Sequence, residues 1–194
     1  RLIEVIRSHG WRLEWIIETH VHADHLSGAP YIQEQLGGKL GIGENITIVQ
    51  DTFGKIFNEG TAFQRDGSQF DTLFMPDGGS ARADFPGGDA RTLYRSIKRV
   101  LALPPETRLF ICHDYGPNGR DIAWETTVGS ERAHNIHLRD GISEDEFVKM
   151  REARDATLSM PRLILPSLQV NMRAGEIPKD QDGRPMLKLP INAL

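Results

Sequence analysis

Three of the seven histidines and one carboxylate fall within six consecutive residues, His20-Val21-His22-Ala23-Asp24-His25. Imidazole nitrogens and carboxylate oxygens are the donors that Zn(II) and Fe(II) accept, so this spacing points to a metal centre. In an extended segment His20 and His22 point to the same side, while Asp24 and His25 lie beyond them on a turn. Further polar groups, His113-Asp114-Tyr115, end the apolar run Arg108–Cys112. Asp71 stands just before another apolar burst, Thr72-Leu73-Phe74-Met75, and is a candidate ligand at a strand edge. His134 and His137 are three residues apart but lack the glutamate of a zincin motif, and they read as structural. Cys112 lies in the apolar run and reads as a buried, inert thiol.

The elements that must position these groups alternate between helix and strand. Leu2, Val5 and Ile6 recur at helical spacing, with Gly10 as a C-terminal cap. The run Trp11–Thr19 reads as a strand that delivers the histidine cluster. Residues 27–36 then suit a short helix ended by Gly37-Gly38, which places the cluster on a strand-to-helix loop. Ligand sites of α/β sheets commonly form there, at the carboxyl ends of strands. Gly37, Gly38, Gly41 and Gly43 carry no phosphate-binding pattern and read as turns.

Further along, Ile46–Val49 suits a strand, and Thr52–Phe57 a helical turn. Asp89 is a good N-cap for a helix running to about Leu103, whose Arg91, Arg95, Lys98 and Arg99 read as a solvated face. Arg108–Cys112 reads as a buried strand. A capping box, Ser143 with Glu146, opens a helix expected to stop near Met160-Pro161. Residues 161–194 carry five prolines and read as a tail packed on a single domain that spans 1–194.

With 194 residues and 39% hydrophobic content, the chain can bury a sizeable core in one domain. A net charge of −4 and a pI near 6.0 give no basic footprint for nucleic acid, so a small-molecule substrate is expected. One cysteine excludes an intramolecular disulfide framework and suits a reducing compartment. No apolar run is long enough to span a bilayer, and the expected location is the cytoplasm, with no membrane partner. Oligomeric state is left open, a homo-oligomer included. The helical pattern starting directly at Arg1 suggests a chain truncated at its N-terminus.

The strand followed by Thr19–His25 resembles the signature of the metallo-β-lactamase superfamily, whose fold is a four-layer αβ/βα sandwich of the α/β class. Within it the chain is most similar to the persulfide dioxygenases and the bacterial β-lactamase-like hydrolases grouped with them. Asp71-Thr72-Leu73-Phe74, Ala81-Arg82-Ala83-Asp84-Phe85, His113-Asp114-Tyr115-Gly116 and Leu165–Asn171 carry the rest of the likeness. The resemblance implies His20 and His22 as ligands of one metal site, Asp24, His25 and His113 as ligands of a second, and Asp71 as a bridging carboxylate. In the persulfide dioxygenases a single Fe(II) is held by two histidines and an aspartate, and His20 and Asp71 match two of these. The resemblance implies that glutathione persulfide is oxidised with O2 to sulfite and glutathione, and that Arg82 holds a glutathione carboxylate while Tyr115 donates a hydrogen bond nearby.

The likeness has one gap. Family members carry a histidine in a Pro-Gly-His turn before the aspartate, whereas His25 to His113 contains no histidine, and Phe70 replaces the usual glycine before Asp71. The sandwich is therefore expected to be incomplete, leaving strand edges and apolar surface uncovered, with marginal stability or dependence on a partner. A zinc-dependent hydrolase of the glyoxalase II-like thioesterase type is the second reading. A non-catalytic relative that keeps the fold and a weak metal site is the third.

Overall fold

The computed structural model describes residues 1–74, 83–114, 116 and 119–191. The chain divides into two compact units, Arg1–Pro76 with Ser159–Leu194, and Asp77–Leu158. Both helix and strand are present throughout, as expected for the α/β class.

The first unit opens with α1 (Leu2–Ser8), which ends at His9 before Gly10 turns the chain at φ +64°. β1 (Trp15–Glu18), α2 (Ala29–Leu36), β2 (Lys39–Gly43), α3 (Ile46–Ile56) and β3 (Thr72–Phe74) follow. The three strands form a parallel sheet in the order β1-β2-β3, with Ile16 opposite Leu40 and Ile42 opposite Leu73. Parallel neighbours need crossover connections, which α2 and α3 supply. Leu40 and Ile42 are buried, as are Ala29, Ile46, Phe53 and Phe57. On the opposite face of β1, Trp15 and Ile17 stay exposed, in keeping with the uncovered apolar surface expected of an incomplete sandwich.

Two local expectations are corrected here. Gly37 and Gly38 do turn the chain, at φ +72° and +90°, but Gly41 and Gly43 lie in β2, where they alternate with the buried Leu40 and Ile42. The segment Ile46–Val49 opens α3 and is not a strand. Ile46, Gln50, Phe53 and Phe57 recur at a helical period and are all buried, which outweighs the β-branched bias of the run.

Within 161–194, expected as a tail, Ile164–Asn171 forms α7, with Ile164, Ser167, Leu168, Gln169, Val170 and Asn171 buried. Pro166 is tolerated because it falls in the first turn, where backbone N–H groups have no intrahelical partner. Gln50, fully buried, donates to the Met172 carbonyl at 2.9 Å and to Gln69 Oε1 at 2.8 Å, and accepts from Gly67 N at 2.9 Å. Its amide therefore holds α3, the 67–69 turn and the end of α7 together.

The second unit contains α4 (Ala90–Leu101), β4 (Arg108–Phe110), β5 (Glu125–Thr127), α5 (Val128–His134) and α6 (Glu144–Asp155). Asp89 caps α4 by accepting from Thr92 N, and Ser143 with Glu146 forms the expected capping box. Leu93, Leu101, Val128, Leu138 and Phe147 make the core. β4 pairs with β5 alone, antiparallel. A two-stranded ribbon covers one face only, so Leu109 packs on the core while Phe110, Ile111 and Cys112 are exposed. This corrects the buried strand and the buried thiol expected there. Among the described residues no helix is long and apolar enough to cross a membrane.

Candidate metal centre

β1 ends at Glu18, and residues 19–28 cross from the carboxyl end of the strand to α2. In this loop one ligand atom from each of His22, Asp24 and His25 lies within 4.8 Å of the others. Asp24 Oδ1 stands 3.9 Å from His22 Nδ1 and 4.0 Å from His25 Nε2. Bonds of about 2.1 Å in tetrahedral geometry separate donors by about 3.4 Å, so small rotations of the exposed Asp24 and His25 toward the buried His22 close the set. Two imidazoles and one carboxylate at this spacing fit one divalent cation.

The rings of His20, His22 and His25 form a row, with centroids 4.1 and 4.2 Å apart. His20 is the exposed outer ring, its Nδ1 2.9 Å from Thr19 Oγ1, and its ligand atoms are not among the converged set.

Two residues absent from the sequence-based site shape this loop. Glu18, largely buried, places Oε2 3.9 Å from His22 Nε2, and its other oxygen accepts from the Ser27 hydroxyl. The signal was available: Glu18 alternates with Ile16 on the core-facing side of β1, where an acidic residue is uncommon. Asn171, at the end of α7, donates to the carbonyls of His22 at 2.9 Å and His25 at 2.7 Å, and accepts from Ser27 N at 2.8 Å.

Asp71 is not brought to this group. Its Oδ2 accepts from Leu40 N at 2.7 Å and Gln33 Nε2 at 2.9 Å, at the amino end of β3. Leu40 pairs with Ile16, four residues before His20, which is about 13 Å along the strand direction. β3 pairs with β2, and Asp71 clamps the end of that sheet. Asp71→Ala is accordingly expected to lower stability by about 1–2 kcal/mol, through lost charged hydrogen bonds, while cation uptake is unchanged. Urea unfolding and Co(II) titration of the same sample check both halves.

In the second unit His113 is exposed, three residues past β4. Its neighbour Asp114 receives both Arg120 terminal nitrogens at 2.6 Å and Ala123 N at 2.8 Å. The Arg120 guanidinium, with the Ala123 amide, holds the Asp114 carboxyl down at about 2. A carboxyl depressed in the folded state adds stability above its unfolded pKa, near 3.9, which is lost as pH falls through about 2. Carboxyl NMR is expected to show the Asp114 midpoint rising toward 3.9 in Arg120→Met. An unmoved midpoint contradicts the assignment of the cause. His137 is half-buried, and burial, then Arg151 and Arg154, lower its pKa, in keeping with a neutral structural imidazole. Arg82 and Tyr115, expected to touch substrate, lie outside the described residues.

Comparison with known proteins gives this loop an ancestry. Residues 1–67 match the metallo-β-lactamase superfamily. The whole chain aligns at 48% identity with 84% of a protein named a probable metallo-hydrolase of Burkholderia pseudomallei. That alignment covers 246 residues against 194 here, so 52 aligned positions face gaps in this chain. Over 89% of the chain and 73% of the relative, identity to mitochondrial persulfide dioxygenase ETHE1 of Mus musculus is 28%. The crystal structure of ETHE1 from Myxococcus xanthus shares the fold with a TM-score of 0.63 and 24% identity, over 91% of this chain and 84% of that one. A shared fold, a histidine loop at a strand end and near-half identity over the full length lead to one assignment: the chain belongs to the metallo-β-lactamase superfamily.

Proposed function

We propose that the chain is a single-metal enzyme of the persulfide dioxygenase type, oxidising glutathione persulfide with O2 and water to glutathione, sulfite and two protons. The observation that carries this reading is the convergence of His22, Asp24 and His25, two imidazoles and a carboxylate, on one loop. His22, Asp24 and His25 would hold Fe(II), which when bound would supply the redox chemistry of the reaction. The relative named persulfide dioxygenase supports the same chemistry. Buried His22 would set the position of such an ion, with exposed Asp24 and His25 completing the donor set. By the family likeness alone, Arg82 is proposed to bind a glutathione carboxylate and Tyr115 to hydrogen-bond the substrate.

The test is anaerobic loading with Fe(II), metal analysis and O2 uptake on glutathione persulfide. One iron per chain, with sulfite formed in step with O2 consumed, is the expected result. Absence of either overturns the proposal. The 48%-identical relative named a metallo-hydrolase favours a second reading, zinc-dependent thioester hydrolysis, for which the same residues would hold zinc and the metal would supply Lewis-acid activation. Stoichiometric zinc with O2-independent cleavage of an acyl-glutathione would establish that reading instead, and a chain that holds no metal excludes both.

A further inference from the structure

We infer that Asn171 is a positioning residue of the metal centre, fixing the backbone from which His22 and His25 project. The inference rests on the single-metal reading above and concerns this chain's own residues. The Asn171 side chain spends both of its amide hydrogens and its carbonyl oxygen on one loop. The donors go to His22 O at 2.9 Å and His25 O at 2.7 Å, and the acceptor takes Ser27 N at 2.8 Å. The residue is 6% exposed and lies 144 to 149 residues away in sequence from its three partners. Bonding to the carbonyls of both ligand histidines sets the spacing of those two residues directly, independent of side-chain rotamer.

A second fastening acts on the same loop at its α2 end. Glu18 accepts from the Ser27 hydroxyl, which in turn accepts from Ala29 N at 3.0 Å, so the α2 end of the loop is tied to β1. The two bonds to Asn171 fasten the backbone of His22 and His25, whereas Glu18 Oε2 approaches the His22 ring at 3.9 Å and His25 Nδ1 lies 3.3 Å from Leu26 O. Outer hydrogen bonds that orient metal ligands typically contribute 10–100-fold in metal affinity. A residue that serves only to pack α7 would have no such effect.

Gln169 provides the contrast. It lies on the same helix, is fully buried, and bonds Leu165 O, Lys188 O and Lys188 N without touching the loop. The experiment is Co(II) titration followed by absorption spectroscopy, together with thermal unfolding, for wild type, Asn171→Asp, Asn171→Ser, Gln169→Leu and His22→Ala. Asn171→Asp preserves the acceptor for Ser27 N at nearly constant volume while removing both donors. Asn171→Ser keeps the test open if the aspartate variant fails to fold.

Both Asn171 variants are expected to bind Co(II) at least about 10-fold more weakly, with an altered ligand-field spectrum. Gln169→Leu is expected to lower the unfolding temperature with the wild-type affinity and spectrum intact. If wild type binds Co(II), His22→Ala loses it, and the folded Asn171 variants stay within two-fold of wild type, the positioning role is wrong while the metal centre stands. Loss of affinity in Gln169→Leu equal to that in the Asn171 variants also overturns it, since packing of α7 then suffices. A wild-type chain that takes up no Co(II), or a His22→Ala that binds it unchanged, overturns the metal centre and the inference with it.

Discussion

Replacing His22 with alanine is expected to reduce cation affinity by more than about 100-fold and to abolish stoichiometric uptake, exceeding the 10–100-fold typical of losing a supporting hydrogen bond. His22 is the one buried donor of the converged set, and its ring stands between those of His20 and His25. Removing it leaves Asp24 and His25, both exposed and within 4.0 Å of each other, as a two-donor site open to water. Competition titration with Zn(II), paired with circular dichroism to show that the variant is folded, measures the loss. His20→Ala should retain stoichiometric uptake, because that ring is the exposed outer member of the row. Unchanged metal content in His22→Ala would remove the loop from consideration as a metal centre.

Gln50→Leu is expected to destabilise the chain by about 4 kcal/mol. The leucine fills the volume but leaves Gly67 N and Met172 O, both bonded to Gln50, without that partner in a buried setting, at about 1–3 kcal/mol each, beyond the lost bond to Gln69. Against the 5–15 kcal/mol typical of whole domains this is a large fraction. Met172 directly follows Asn171, so the same substitution frees the end of α7 that fastens the histidine loop. Urea unfolding at pH 7 checks the magnitude, and a shift in stability below about 1 kcal/mol would show that the Gln50 network contributes little.

The sequence made the strand-to-helix placement of the histidine loop legible because it rests on local signals. An apolar strand leads into His20–His25, and glycines close the following helix. The caps at Asp89 and Ser143 were legible for the same reason, since each depends on residues three positions apart. β2 was missed because its glycines resemble turn residues, and only the burial of Leu40 and Ile42 between β1 and β3 makes that segment a strand. The helix α3 was mistaken for a strand where its first four residues are all β-branched, although its period becomes clear once Phe53 and Phe57 are included. Asp71 matched the expected ligand by its neighbours in sequence, but its position is set by which strand β3 pairs with. No local pattern encodes that. Glu18 carried a signal in its core-facing register, whereas Asn171 acts across almost the whole chain, beyond the reach of periodicity or spacing.

That separation has a consequence for how the centre comes into being. The loop bearing His22 is synthesised early, while the side chain that fastens it follows 149 residues later. At about 5–20 residues per second, translation leaves the histidines without their clamp for about 7–30 s. Closing so long a loop also slows folding, because its entropy must be met before the contact forms. Metal capture in a refolding experiment should therefore lag helix formation and coincide with docking of α7, making cation uptake a reporter of that long-range step in assembly.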